Sequence, residues 1–254
     1  MHLYYQSYGS GHPLIILHGL LGSSDNWHTM GKQFGESFHT FALDARNHGR
    51  SPHSTEFNYR VMADDVRDFM EQQKLSSAFL LGHSMGGKTA IQFALTFSDR
   101  VDKLIVVDIA PQAYASNYNP DLSALASLDL TSFTSRKEID ALLTKNIPEF
   151  AIRQFLMKNL MRDKEGKFKW KMNLDIIRKN FAEINAGLES KERFGKPTLF
   201  IKGGLSNYIT QKDTPMIKKL FPQSTVATIA GAGHWVHTET PGEFARIVIK
   251  FLQE

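Results

Sequence analysis

Residues 78–97 read AFLLGHSMGGKTAIQFALTF, and this stretch decides the fold. Its first four residues, Ala78 to Leu81, are all apolar and have the pattern of a buried strand. Gly82-His83-Ser84-Met85-Gly86 follows and matches the G-x-S-x-G pattern, in which a serine lies on a tight turn from a strand into a helix. Gly86 to Phe97 is predicted to form that helix. The order of strand, turn and helix predicts that Ser84 is an exposed nucleophile at one edge of a sheet.

Short apolar runs alternate with longer amphipathic stretches on both sides of this segment, which is typical of a mostly parallel sheet flanked by helices. Helices are predicted at Tyr59–Gln73 and Pro241–Leu252. The other predicted strands share near-continuous apolar sequence and lie at Leu14–Leu17, Thr40–Leu43, Leu104–Val107, Thr198–Ile201 and Val226–Ile229. The predicted fold class is therefore α/β.

The strand pattern stops between residues 112 and 193, while helical periodicity continues there. Examples of this periodicity are Ile139–Leu143, Ile152–Leu160 and Leu174–Ile184. We predict an α/β core formed by residues 1–111 and 194–254. Residues 112–193 are predicted to form a helical cap, inserted after the sixth strand of the sheet.

Composition limits the classes of function. The 254 residues are 42% hydrophobic and 22% charged, which is sufficient for a sizeable core. The absence of cysteine excludes disulfides, a cysteine nucleophile and a thiolate metal site. The net charge of +4 comes with no clustered basic face or known motif, so we expect no nucleic-acid partner. The oligomeric state is not indicated.

The first residues, MHLYYQSYGSGHPLIILHG, lack the basic region and long apolar run of a signal peptide. The apolar run Pro13 to Leu17 is much shorter than the ~20 residues that span a bilayer. We therefore expect a cytoplasmic protein that does not insert into membranes.

A serine hydroxyl is a weak nucleophile at neutral pH and needs a base within hydrogen-bond reach. Of the 10 histidines, His234 is the best candidate, because it lies between the last predicted strand and the last predicted helix, at the same sheet edge as Ser84. His237 is interpreted either as structural or as a residue that supports the site residues without reacting. The remaining candidates lie in turns, and we expect them to hold loops: His18, His48 and His83. The histidines do not pair with carboxylates at ligand spacing, so no metal site is predicted.

The negative charge that develops on a substrate oxygen needs two converging N–H donors. One donor is predicted to be the backbone N–H of Met85, the residue after the nucleophile. The second is expected in the loop after strand Leu14–Leu17, and Leu20 is the residue chosen. The side chains around it are apolar, which suits a loop whose backbone supplies the donor.

The motifs occur in the order found in the α/β-hydrolases: His18-Gly19, then the segment 44–51, then 82–87, then Gly233-His234. Over nearly its whole length the chain resembles that superfamily. Within it, segments 18–27 and 202–206 resemble the YbfF group of small bacterial esterases and related mitochondrial abhydrolase-domain proteins. The resemblance implies a serine hydrolase that cleaves acyl esters or acyl thioesters without a cofactor.

The acid of a Ser–His–acid triad is not where most α/β-hydrolases have it. The loop after strand Thr198–Ile201 contains no carboxylate. Asp108 ends strand Leu104–Val107 at the required edge, and the YbfF-like proteins resemble this sequence there. We therefore favour Asp108. Asp213, which looks like a helix N-cap, and a Ser–His dyad supported by Asn207 are the alternatives.

The predicted cap contains a basic stretch: Arg162, Lys164, Lys167, Lys169 and Lys171. We interpret it as a solvated hairpin or loop between helices, and the alternative is a patch that binds the phosphates of an acyl-CoA. Aromatic residues of the predicted cap are expected either to line an acyl pocket or to form the core of the cap: Tyr114, Phe133, Phe150, Phe155 and Trp170. A carbon–carbon bond hydrolase, a lyase and a non-catalytic ligand receptor of the same fold are the rival functions.

Overall fold

The apolar runs of the sequence form a seven-stranded sheet in the computed structural model, which describes residues 1–114 and 120–254. The strands of the sheet follow one another along the chain as β1 Tyr5–Tyr8, β2 Pro13–Leu17, β3 His39–Leu43, β4 Ala78–His83, β5 Val101–Val107, β8 Thr198–Gly203 and β9 Ser224–Ile229. Two further strands, β6 Leu160–Arg162 and β7 Phe168–Trp170, pair with each other in a separate hairpin. In space the order is β1-β3-β2-β4-β5-β8-β9, and in this sheet only β1 runs antiparallel to its neighbour.

The helices follow the amphipathic stretches of the sequence. They are α1 His28–Phe34, α2 Tyr59–Gln72, α3 Met85–Thr96, α4 Pro120–Ala126, α5 Arg136–Leu143, α6 Phe150–Met157, α7 Leu174–Lys179, α8 Phe181–Asn185, α9 Thr214–Leu220, α10 Val236–Glu239 and α11 Pro241–Gln253. Short 3₁₀ turns lie at Ser24–Trp27, Ser98–Arg100, Leu130–Ser132 and Gln211–Asp213. No helix in the described part of the chain is both long and apolar enough to cross a bilayer.

Alternate side chains of the strands enter the two layers that cover the sheet. In β2, Leu14 and Ile16 belong to a cluster with apolar residues of α1 and α11. Ile15 and Leu17, which point to the other face, belong to a cluster with residues of α2 and α3. This explains why the central strands are apolar at consecutive positions, since both faces of a parallel sheet are buried.

The segment between β5 and β8 contains α4 to α8, as the helical periodicity predicts, but it also contains the β6–β7 hairpin. The insertion is therefore mostly helical, and the helical periodicity of Ile152–Leu160 corresponds to a helix that ends at Met157. The insertion also follows the fifth strand of the chain, β5, and the prediction that it follows the sixth is wrong. The predicted boundaries at 112 and 193 stay predictions, and residues 115–119 of the predicted cap lie outside the described residues.

The basic stretch forms this hairpin. Asp163 closes its turn, because Oδ1 accepts hydrogen bonds from the backbone N–H groups of Glu165 and Lys167, each at 2.9 Å. Lys164, Lys167 and Lys169 are exposed. The interpretation as a solvated hairpin is confirmed, and phosphate binding by this surface stays a prediction.

The sheet register brings the ends of the central strands together. The ladder continues one residue past β4 and β5: the N–H of Ser84 donates to the Val107 carbonyl at 3.0 Å, and the N–H of Asp108 donates to the Ile201 carbonyl at 2.8 Å. Ser84 and Asp108 therefore lie side by side at the carboxyl-terminal edge of the sheet. This edge is where ligands bind in open α/β sheets.

Candidate active site

Ser84 lies on a sharp turn between β4 and α3. Its φ of +52° and ψ of −117° are in a region that residues with a side chain rarely adopt. Such a conformation costs about 1–3 kcal/mol and persists only where the surrounding structure enforces it. The hydrogen bond to Val107 and the start of α3 supply that enforcement here. The predicted strand–turn–helix context of Ser84 is present.

The glycines of the motif permit this turn. A Cβ on Gly82 would lie 2.2 Å from the carbonyl oxygen of Gly86, and a Cβ on Gly86 would lie 2.3 Å from the carbonyl oxygen of Leu17. Both distances are far shorter than non-bonded atoms tolerate. The turn can therefore approach β2 closely only because these two positions lack side chains.

His234 contacts Asp108 through its ring. Nδ1 of His234 lies 2.8 Å from Oδ2 of Asp108, and the histidine side chain is 19% exposed while the aspartate side chain is fully buried. Because Nδ1–H donates to the carboxylate, the neutral ring carries its lone pair on Nε2. The ring also stacks on Tyr208, with centroids 4.1 Å apart. These contacts fix the orientation and the tautomer that a general base needs.

Asp108 is held by the loop that follows β8. Its Oδ1 accepts a hydrogen bond from the N–H of Gly203 at 3.0 Å, and its Oδ2 accepts one from the hydroxyl of Ser206 at 2.5 Å. The loop in which most of the superfamily carries its acid therefore supplies donors to an acid on the neighbouring strand. Ser206 was not predicted as a site residue, because the expected contribution of this loop was a carboxylate.

The alternative acids lie elsewhere. The carboxylate of Asp213 accepts hydrogen bonds from the N–H and the hydroxyl of Thr210, at 2.7 and 2.9 Å, and so caps the turn Gln211–Asp213. Asp213 is the N-cap residue of α9, as the sequence suggested, but its side chain makes no capping hydrogen bond to that helix. Asn207 is exposed and, among the described residues, makes no hydrogen bond to His234.

The predicted oxyanion donors are both available. Met85 is the first residue of α3, and Leu20 lies in the turn after β2. Neither backbone N–H has a hydrogen-bond partner within the described residues. Both residues line the cavity that contains Ser84. The N-terminal end of a helix also favours negative charge, which suits the position of Met85.

Three histidines hold the loops around the site, as expected. His18 accepts a hydrogen bond from the N–H of Ala45 at 2.9 Å, and His48 accepts one from the N–H of Leu21 at 3.2 Å. His83 donates through Nε2 to the carbonyl of His234 at 2.9 Å. Burial lowers the pKa of all three rings, to about 3 for His48, so they remain neutral hydrogen-bonding groups.

The ring of His237 packs in the interior and stays neutral near pH 7. Its ring stacks on Trp27 with centroids 4.1 Å apart and planes 8° apart, and its buried Nδ1 has no partner among the described residues. Burial, with a smaller contribution from His234, lowers the pKa of His237 to about 3. This agrees with its interpretation as a structural residue.

The side chains of Ser84 and His234 open into one cavity of about 340 Å³. Of the cap aromatics, Tyr114 and Phe155 line it. Phe133 and Trp170 pack against the core, whereas Phe150 is 65% exposed. Tyr59 and Lys88 also line the cavity, and neither was predicted from the sequence to be a site residue. In the described part of the chain, no group of three or more His, Asp or Glu side chains is arranged to hold a metal ion.

Known proteins match both the sequence and the fold. A family model described as alpha/beta hydrolase fold matches residues 12–241. The sn-1-specific diacylglycerol lipase ABHD11 of Mus musculus is 36% identical over 247 residues, which are 94% of this chain and 80% of the relative. Esterase YbfF of Escherichia coli (strain K12) is 32% identical over 250 residues, which are 98% of this chain and 96% of the relative. A solved structure described as a marine microorganism esterase has a TM-score of 0.96 at 43% identity and covers 98% of both chains.

Proposed function

Since the chain belongs to the α/β-hydrolase fold family and is a hydrolase, we propose that it cleaves carboxylic esters through an acyl-enzyme formed on Ser84. One observation carries this proposal. The ring of His234 is oriented by Asp108 at 2.8 Å and opens into the same cavity as a serine on a strained turn. A nucleophile with an oriented base is the arrangement that acyl transfer requires.

In the first half-reaction, Nε2 of His234 takes the hydroxyl proton of Ser84 while Oγ attacks the carbonyl carbon of the ester. The N–H groups of Met85 and Leu20 donate to the oxyanion that forms. When the tetrahedral intermediate collapses, the C–O bond to the alcohol breaks, and His234 gives its proton to the departing oxygen. The acyl group remains on Ser84.

In the second half-reaction, His234 takes a proton from water, and the hydroxide attacks the acyl carbonyl. Collapse releases the carboxylic acid and returns the proton to Oγ of Ser84. Asp108 stabilises the imidazolium that forms in each half-reaction. The donors Gly203 and Ser206 keep the buried carboxylate in place, so the charge of Asp108 is solvated by the protein.

The substrate is proposed to be a small acyl ester or an acyl thioester. The relatives are named as an esterase and as a diacylglycerol lipase, and the cavity wall includes apolar side chains such as Ile109, Ile152 and Phe181. A largely apolar wall suits an acyl chain. Ester and thioester carbonyls react by the same steps, and only the departing atom differs.

The proposal is tested by a substrate panel of p-nitrophenyl esters, acyl-CoAs and a dienoate diketo acid, the last being a substrate for carbon–carbon bond cleavage. We expect turnover of the esters and a loss of about 10⁶-fold in kcat for Ser84→Ala, the order of magnitude seen when a triad nucleophile is removed. Turnover of only the diketo acid, or full ester hydrolysis by Ser84→Ala, would contradict it.

The cytoplasmic location expected from the sequence is likewise a proposal. Fractionation of the native cells, with detection by antibody, tests it directly. Recovery of the protein in the membrane or secreted fraction would contradict the prediction.

A further inference from the structure

Lys88 lies one helical turn after the nucleophile and is almost completely buried. It is the fourth residue of α3, and its backbone N–H donates to the carbonyl of Ser84 at 3.0 Å. The Lys88 residue is only 1% exposed and lines the cavity that contains Ser84. The ammonium group is therefore placed beside the space for an acyl chain.

The ammonium of Lys88 contacts dipoles and rings but no carboxylate. Nζ donates to the carbonyl of Ala186 at 2.6 Å and to that of Asn185 at 3.4 Å. It lies 4.8 Å from the ring centroid of Tyr114 and 5.6 Å from that of Tyr59. Within the described residues it forms no ion pair. Burial lowers the pKa of Lys88 to about 8, which is the expected effect on a cation without a counterion.

The rest of the cavity wall contains no compensating charge. Among the described residues that line it, none is Asp, Glu or Arg, and Lys88 is the only lysine. Of the lining histidines, His18, His83 and His237 have lowered pKa values and are neutral near pH 7. A buried charge is costly without a partner of opposite charge, and a bound anion would be that partner.

We propose that Lys88 binds a carboxylate carried by the acyl part of the substrate, and that the enzyme therefore prefers half-esters of dicarboxylic acids to neutral esters of the same length. This inference rests on the proposed ester hydrolysis. The ester carbonyl lies at Ser84, the chain follows the apolar wall, and the distal carboxylate accepts a hydrogen bond from Nζ. The ammonium has three N–H donors, and two of them are engaged by the carbonyls of Asn185 and Ala186.

A purely structural role for Lys88 makes a different prediction. The hydroxyl of Tyr59 donates to the carbonyl of Ile184 at 2.6 Å, so Tyr59 and Lys88 both tie the end of α8 to the core. If this were the whole role of Lys88, its removal would affect charged and neutral esters alike. Tyr59→Phe removes a hydrogen bond to the same segment without changing any charge, and it is the matched control.

The test compares substrates that differ only in charge. Monomethyl succinate, glutarate and adipate are each paired with the half-ester in which an amide replaces the free carboxylate. For the wild-type protein we expect kcat/KM to be at least about tenfold higher for the carboxylate at the best chain length, a factor within the range for one charged hydrogen bond. Lys88→Met should remove most of this ratio. Tyr59→Phe and Lys169→Met, which removes an exposed lysine, should retain it.

The outcomes separate the inference from the proposed function. An equal loss for both substrates in Lys88→Met, or no preference in the wild-type protein, would overturn the inference and leave ester hydrolysis standing. No turnover of any ester by the wild-type protein would overturn both. The comparison of carboxylate and amide substrates on the wild-type protein needs no variant. A missing preference there would overturn the inference even if Lys88→Met does not fold. Binding of glutarate to Ser84→Ala, measured by calorimetry, should be lost when Lys88→Met is added.

Discussion

Asp108 and Ser84 adopt left-handed backbone conformations at the ends of neighbouring strands, with φ values of +50° and +52°. Each turn places a residue of the proposed triad at the carboxyl-terminal edge of the sheet. Neither residue is a glycine, so both positions carry strain that the strand ladder and the loop after β8 must balance. Strained backbone of this kind is typical of functional sites, where the position of a side chain is kept at a cost in folding free energy.

Asp108→Asn is predicted to lower kcat by about 10³–10⁴-fold with little change in the fold, because an amide stabilises neither the correct tautomer nor the imidazolium. Steady-state kinetics on a p-nitrophenyl ester measures this. Asp213→Asn is the control, since Asp213 only caps a turn. A large loss in Asp213→Asn together with normal activity in Asp108→Asn would reverse the assignment.

The charge of Lys88 also predicts a pH effect on stability. With a pKa of about 8 in the folded protein and 10.5 as its ordinary value, Lys88 binds more protons in the unfolded state between these pH values. Stability conferred by this group therefore rises with pH across that window. The groups that face its ammonium are Tyr59, Tyr114 and the carbonyls of residues 185 and 186. The free energy of unfolding of the wild type minus that of Lys88→Met should increase from pH 8 to 10. A constant difference would contradict this prediction.

The three residues of the proposed triad could be identified from the sequence because local pattern determines their positions. Ser84 follows from its motif, and His234 and Asp108 follow from their places after strands. Lys88 and Ser206 could not be found in this way. A lysine in a helix is usually exposed, and the burial of Lys88 depends on a segment about 100 residues later in the chain. The role of Ser206 becomes visible only in the fold, where its hydroxyl donates to the carboxylate of Asp108.

The conformation of the loop between β3 and α2 depends on one buried carboxylate, that of Asp44. Oδ1 of Asp44 accepts from the N–H of Ser24 at 2.6 Å, and Oδ2 accepts from the N–H of Arg50 at 2.7 Å. The residue is fully buried. It therefore joins two loops that lie far apart in the sequence.

Asp44→Ala is predicted to lower the free energy of unfolding by about 3 kcal/mol, because two backbone donors lose their partner. For a chain of this size the melting temperature should fall by roughly 6–12 °C. Differential scanning calorimetry measures it. Asp99→Ala, which removes an exposed carboxylate, should change the melting temperature little. Equal shifts in the two variants would argue against a structural role for Asp44.

The central strands and the flanking helices could be predicted because their hydrophobic patterns are strong. Strand β1 was missed, since Tyr5-Gln6-Ser7-Tyr8 is an edge strand with little apolar sequence. For the β6–β7 hairpin the sequence suggested only a hairpin or loop, because a strand of three residues is too short to have a recognisable period. The carboxyl-terminal turn of the predicted helix Leu174–Ile184 is a separate helix, α8.

At the scale of the whole molecule, several buried neutral histidines make the fold sensitive to acid. His48 and His237 have pKa values of about 3, well below the ordinary 6.5, so the unfolded chain binds more protons between these pH values. Their contribution to stability is complete above about pH 6.5 and is lost as the pH falls towards 3. The protein should therefore unfold more easily as the pH falls through this range.

His237→Phe is predicted to reduce this sensitivity, because it keeps a ring beside Trp27 and removes one titrating group without leaving a hydrogen bond unsatisfied. The slope of unfolding free energy against pH should decrease by up to about 1.4 kcal/mol per pH unit between pH 6 and 4. Urea titrations at several pH values give this slope. An unchanged slope would contradict the prediction, whatever the stability at neutral pH.

Covalent catalysis at Ser84 is tested most directly by labelling with a fluorophosphonate followed by peptide mapping. We predict one adduct per chain, located on the peptide that contains Ser84, absent in Ser84→Ala and formed much more slowly in His234→Ala. Labelling of another residue, or equal labelling of Ser84→Ala, would contradict the account.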